Sequence, residues 1–284
     1  MAPWTETVRS VVSPWECDVT EHFTIAYYFD RLADAAATAA EQLGLSSSTG
    51  SAPHRFDVRF VRELRAGASF HILSAPLECA EASVRIGHQI VDSADGEVAA
   101  WVQETLDRRT APLPKPLIDD IGRRLAVWPG PAVEQRPDPA TNDGFIATAR
   151  DRIKPSELGG DGKVAVSAYV HRFTAGCIQG LAAIGATASY MESGRRGYST
   201  FELALRINDT LRIGDPVVVE TGIAHLGNSS IRFIHRMCRS GTGPEYARMA
   251  QFGVQLDLDA RRPAALPENL RAAAAHLLVP VAPQ

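Results

Sequence analysis

Asp18 and His22 stand on one polar loop, separated only by Val19, Thr20 and Glu21, and the loop runs into a long apolar-periodic stretch. A carboxylate and an imidazole at this spacing suit acid–base work on a water molecule or direct attack on a carbonyl carbon. A helix opening just after them would present unpaired N–H groups and a partial positive charge, which stabilise a developing oxyanion. An isolated aspartate before a helix is more often a cap or turn residue than a catalyst. What raises the chemical reading is a second copy of the same segment. Pro14 to Arg31 aligns without a gap on Pro155 to Arg172. Glu16 then faces Glu157, Tyr28 faces Tyr169 and Arg31 faces Arg172, but Asp18 faces Gly159 and His22 faces Lys163. One copy keeps the acid and the imidazole; the other has lost both.

The rest of the chain narrows the classes. It has 284 residues and a net charge of −4, with arginines scattered rather than clustered, so no basic field invites nucleic acid or an acidic membrane surface. No apolar run approaches the roughly 20 residues of a membrane helix, and Met1 to Ser10 has no signal-peptide core, so a cytoplasmic protein is expected. Cys17, Cys79, Cys177 and Cys238 lie far apart and read as free buried thiols rather than metal ligands or a disulfide framework. No metal or redox cofactor is expected, since no ligand cluster or nucleotide-binding glycine loop appears.

The elements that must position the pair recur in both copies. A short strand (near 7–13 and 149–154) precedes the loop. Thr24 is the expected N-cap of a helix reaching Leu43, whose apolar positions Tyr28, Leu32, Ala35, Ala39 and Leu43 share one face. Its twin runs from about Val164 to Ile184. Four strands follow each helix, near 56–60, 70–77, 84–91 and 98–106, then near 201–207, 217–224, 231–238 and 247–256. Turns are expected at Asp92–Glu97 and Ser240–Pro244. No helix returns between strands, so the class is α+β with an antiparallel sheet around a long helix. The expected organisation is a unit at 1–126, a Pro-rich linker at 127–144 with a short helix before it near 117–126, and a second unit at 145–284 ending in a helix near 268–278. His88 and His235 match between the copies, as do Tyr28 and Tyr169; residues that do not follow the asymmetry of the acid are read as structural.

Asp18, His22 and the helical Tyr28 together resemble the signature of hotdog-fold acyl-CoA thioesterases of the 4-hydroxybenzoyl-CoA thioesterase-like group. Leu64-Arg65-Ala66-Gly67 before a strand, and Arg108 followed by Leu113-Pro114, look similar to that group as well. Glu21 stands where the group has glycine, and Thr24 where it has asparagine. The resemblance covers both halves and implies two tandem hotdog domains in one chain, with the site where they meet. It implies hydrolysis of an acyl thioester, with Asp18 as general base or nucleophile and His22 orienting Asp18 or the water, or stabilising negative charge. Thr24 is carried as a substrate-facing residue only. Coenzyme A would enter as part of the substrate, and Arg195 and Arg196, read as an extra loop in the second copy, are the chosen phosphate ligands; Arg59, Arg62 and Arg65 are weaker candidates. Assembly into a homo-oligomer is left open. The competing readings are a hydratase or dehydratase acting on enoyl or hydroxyacyl thioesters, and a non-catalytic acyl-CoA-binding module.

Overall fold

Alternation of Phe56, Val58 and Phe60 with Asp57 and Arg59 makes a strand with one apolar and one charged face, and the computed structural model puts the apolar three inward. The structure describes residues 4–18, 20–45, 54–134, 136–239 and 243–281. The first half contains β1 (Thr5–Val11), α1 (Ile25–Gln42), β2 (His54–Phe60), β3 (Ser69–Ala80), β4 (Ser83–Asp92), β5 (Val98–Asp107) and α2 (Lys115–Gly122). The second repeats the order as β6 (Ile146–Arg152), α3 (Val166–Ala183), a new short helix α4 (Ala188–Ser193), β7 (Arg196–Ile207), β8 (Pro216–Leu226), β9 (Ser230–Arg239) and β10 (Glu245–Asp257). A two-residue strand β11 (Arg262–Pro263) and the helix α5 (Glu268–Ala274) close the described chain.

The strands form one antiparallel sheet in the order β1-β3-β4-β5-β2-β7-β10-β9-β8-β6, with β11 on β10. The halves join edge to edge through β2 and β7, from His54 opposite Ile207 to Arg59 opposite Glu202. The sheet curls around α1 and α3, which pack on each other, with Tyr27 edge-on to His171 at 5.3 Å. One apolar core runs through both halves, holding Phe29 and Leu32 of α1, Phe173 of α3, Phe56 of β2 and Leu205 of β7. Toward its C-terminus each helix packs within its own half, Ala39 and Leu43 against Val84 and Ile86, and Cys177 and Leu181 against Ile231 and Phe233.

The Pro-rich connector is an ordered strap on the outer face of the sheet. Trp128 packs edge-on to Trp101 at 5.4 Å, Arg136 ion-pairs with Glu202 at 3.0 Å, and Asp138 with Arg206 at 2.7 Å. The four cysteines are free, but only Cys177 and Cys238 are buried; Cys17 and Cys79 are half-exposed, since each lies at the margin of its core. Of the turn expected at Ser240–Pro244, residues 240–242 lie outside the described ones. The second-half strand expected from Phe201 starts five residues earlier, at Arg196, because antiparallel partners on β10 extend to Asp257. The extra residues of the second copy form α4 and the turn after it rather than an open loop carrying Arg195 and Arg196.

Candidate active site

The two loops before α1 and α3 are built alike. Glu16 accepts from the backbone N–H of Ser13 and takes Arg31 Nη2 at 2.5 Å; Glu157 accepts from Lys154 N–H and takes Arg172 Nη1 at 2.8 Å. In both, the loop closes with matching backbone bonds: Asp18 N–H donates to the His22 carbonyl at 2.9 Å, and Gly159 N–H to the Lys163 carbonyl at 2.7 Å. Gly162 turns the second loop at φ +74°. Its counterpart Glu21 makes the same turn at φ +65°, a left-handed conformation that costs a side-chain-bearing residue free energy.

The difference is the chemistry carried on this common frame. Asp18 Oδ1 accepts the N–H of Thr20 at 2.8 Å and the Thr20 hydroxyl, with the His22 N–H farther off at 3.4 Å. These bonds hold one carboxylate oxygen and fix the direction of the other. Thr20 is held from the far side by Gly197 at the start of β7, so the acid of the first half is braced by a strand of the second. Thr24 is the N-cap of α1 by position, but its hydroxyl makes no capping bond, contrary to expectation, because Glu16 and the loop already orient the chain there: Thr24 N–H donates to the Glu16 carbonyl at 2.8 Å. The hydroxyl is left free beside the first turn.

All five residues singled out in the sequence line one cavity of about 980 Å³, at the upper end of the usual size for a small-molecule site. Asp18, His22 and Thr24 come from the first half, Arg195 and Arg196 from the second. The cavity reaches the start of α1, at Thr24 and Ile25, and is lined further by α3, α4, β7 and β10. Its deeper walls are apolar: Leu181, Ala186, Met191, Tyr198, Val254 and Leu256 among them. A polar strip crosses it, where Gln251 donates to the Thr200 hydroxyl at 2.5 Å beside Cys177, whose thiol burial pushes up to about 12.

His22 does not face Asp18. Its Nε2 lies 2.9 Å from Oε2 of Glu63, off the line of a good hydrogen bond. Glu63 also takes Arg65 at 3.0 Å and, from the second half, Arg261 at 2.9 Å. Glu63 lines the cavity and was missed in the sequence. The repeat contained the signal: in the register that aligns Leu64 with Leu211, Glu63 falls on Thr210, a third charged residue absent from the second copy. Arg195 and Arg196 lie on the rim, but ion-paired to Asp259 at 3.1 Å and Asp257 at 2.7 Å. Arg62 is paired with Asp95, and Arg59 points away from the cavity to Glu202.

The matched histidines are buried in the sheet. His88 hydrogen-bonds Ser74 through Nδ1 at 2.8 Å and Glu104 through Nε2 at 3.1 Å, and His54 takes the other Glu104 oxygen at 2.6 Å. Burial alone would raise Glu104, but the two imidazoles outweigh it and hold its carboxyl at about 2. In the second half His235 keeps the hydroxyl partner, Thr221, but meets Gln251 in place of a carboxylate, and burial lowers it to about 3.

Two helix-and-sheet units, joined edge to edge with a cavity where they meet, define a tandem double hotdog. Residues 160–274 match the family model of the Thioesterase-like superfamily. Three solved structures share the fold over nearly the whole chain. An inferred oleoyl thioesterase from Lactobacillus plantarum is 13% identical, with a TM-score of 0.67, covering 94% of this chain and 98% of its own. An acyl-ACP thioesterase from Bacteroides thetaiotaomicron is 12% identical, with a TM-score of 0.65 and coverage of 87% and 96%. A 12:0-ACP thioesterase from Umbellularia californica is 14% identical, with a TM-score of 0.62 and coverage of 90% and 93%. No curated protein matches the chain by sequence. No helix among the described residues is long and apolar enough to cross a membrane.

Proposed function

We propose that this protein hydrolyses an acyl thioester in the cavity between its halves, with Asp18 as the reacting carboxylate. The observation that carries the reading is the shared cavity: the loop with Asp18 lines an apolar chamber whose walls come from both halves. The acyl group lies against Leu181, Met191 and Val254, where each buried methylene contributes about 0.8 kcal/mol to binding. The thioester carbonyl sits at the mouth, its oxygen toward the N–H groups that open α1, which stabilise the oxyanion as the carbonyl is attacked. Asp18 either draws a proton from a water that attacks the carbonyl or attacks it directly to form an anhydride that water then opens. His22, held by Glu63, stabilises negative charge at the mouth. The thiol leaves toward the rim, where Arg195 and Arg196 meet the phosphates of the carrier by exchanging their aspartate partners. Coenzyme A is the carrier proposed.

Asp18→Asn tests this. Asparagine keeps an oxygen for the Thr20 donors, so the fold should survive, while release of free thiol from acyl-CoA falls about 10²–10⁴-fold. Turnover at the wild-type rate would reject Asp18. Loss of an enoyl absorbance without thiol release would favour a hydratase, and tight binding without any turnover a binding module. Single-turnover hydrolysis in ¹⁸O-water detects the direct route with water opening the anhydride at the Asp18 carbonyl: the first product then takes an unlabelled oxygen from Asp18, and the ¹⁸O enters the Asp18 carboxylate.

A further inference from the structure

On the face of the sheet turned away from the acyl cavity, a second and much smaller hollow of about 90 Å³ lies under the strap between β2, β7, β9 and β10. Six arginines and four carboxylates line it. Five of the arginines have a carboxylate partner: Arg55 has Asp57, Arg59 and Arg136 share Glu202, Arg206 has Asp138 and Arg248 has Glu245. The sixth, Arg232, has none within ion-pair distance among the described residues. As a residue it is only 6% exposed, and among the described residues its guanidinium gives a single hydrogen bond, from Nη1 to the Pro137 carbonyl at 2.9 Å. Arg232 lines the hollow, whose apolar wall includes Val58, Trp101, Trp128, Ala204, Ala250 and Phe252. Burial, and then Arg136 close by, weaken its hold on its proton, only partly offset by Asp138 and Glu202, which are themselves paired with other arginines. A buried guanidinium without a counter-charge is costly, whereas one with free donors arranged in a fork suits a tetrahedral oxyanion.

We infer that this hollow is a binding site for a phosphate group, taken by Arg232 with Arg136 and Arg206 at its sides. The anion supplies the charge the ion-pair network lacks and ties the strap to the sheet. The site is separate from the acyl cavity, and its existence does not depend on thioester hydrolysis.

Calorimetric titration of the full-length protein with sodium phosphate, against sodium chloride at equal ionic strength, tests it. Wild type should bind phosphate saturably. Arg232→Leu should weaken that binding at least about tenfold, as expected for loss of a charge-assisted pair. Ala250→Leu fills the hollow without touching a charge and should abolish binding, which covers the case in which Arg232→Leu misfolds. A parallel titration with adenosine 3′-phosphate identifies the source: tighter binding that phosphate competes away means an organic phosphate, and weaker binding means the free ion, either of which supports the site. Heats no larger than those of chloride, or equal affinity in wild type and both variants, would overturn it.

Discussion

Gly197 is where a strand of the second half touches the loop that carries the acid of the first. A Cβ there would stand 2.7 Å from Thr20 Cγ2 and 2.9 Å from Leu258 Cδ2. Carbon atoms rest at about 3.5–4.0 Å, so Gly197→Ala drives Thr20 back by roughly 1 Å. Leu258 can swing its terminal methyl aside; Thr20 cannot move alone, because its N–H and hydroxyl both hold Asp18 Oδ1. The expected stability cost is that of modest overpacking, about 1–3 kcal/mol, or a Tm lower by roughly 2–8 °C for a chain of this size. The expected cost in turnover is larger, about 10²-fold, because a misplacement near 1 Å is enough to spoil a near-attack geometry. Thr20→Ser removes the clashing methyl and keeps the hydroxyl. It should be nearly silent alone and restore most of the activity of Gly197→Ala, a coupling of about 2–3 kcal/mol in the double-mutant cycle. Thiol release under kcat/KM conditions, with Tm measured in parallel, reads both effects. Full activity in Gly197→Ala, or a double variant no better than the single, would refute the bracing of Asp18 across the halves.

The left-handed Glu21 should be improved by glycine. Its side chain is exposed and only 3.9 Å from Arg65, so Glu21→Gly should raise stability by about 0.5–1 kcal/mol and Gly162→Glu lower it similarly, both read from urea midpoints. Acid should destabilise the fold in two stages. His235, lowered to about 3 from 6.5, stays neutral in the fold while the unfolded chain takes up its proton, so stability declines as pH drops below about 6.5. Glu104, held at about 2 against 4.5, contributes stability that is full above 4.5 and disappears as pH falls toward 2. Each effect is on the order of 3–5 kcal/mol when fully developed. His235→Gln should therefore flatten the urea midpoint between pH 6.5 and 4.5; an unchanged slope would remove His235 as its cause. Arg195→Ala with Arg196→Ala should raise KM for acyl-CoA with kcat nearly constant, and a loss confined to kcat would contradict their placement on the carrier.

Most of the strands and both long helices were readable because their period is written in the residues that face the core, as in Phe56, Val58 and Phe60. The edge-to-edge joining of β2 and β7 was not, since pairing depends on register between distant segments and no local pattern encodes it. Asp18, His22 and Thr24 could be placed at a helix entrance from spacing alone. That they share a cavity with Arg195 and Arg196 could not, because α4 and β7 arrive there only through the folding of the second half. Glu63 escaped for a different reason: it lies on an irregular link with no period, and its meaning comes from His22 and Arg261 across space.

The second copy serves as an internal control for what the loop requires. Gly159 and Lys163 replace Asp18 and His22, yet the loop still closes with the same backbone bond, the same glutamate still ties the same arginine, and α3 still starts at the equivalent turn. The second loop keeps a carboxylate of its own, two residues later: Asp161 Oδ1 accepts the Lys163 N–H at 3.0 Å, where Asp18 Oδ1 faces the His22 N–H in the first. Glu16 and Arg31 have counterparts in both loops and carry the structural work the copies share, whereas Asp18, His22 and Glu63 are confined to the first copy and line the large cavity. An acid at either place can thus hold the turn, and what sets position 18 apart is that its carboxylate lines the large cavity, the ground on which we propose it as the reacting group.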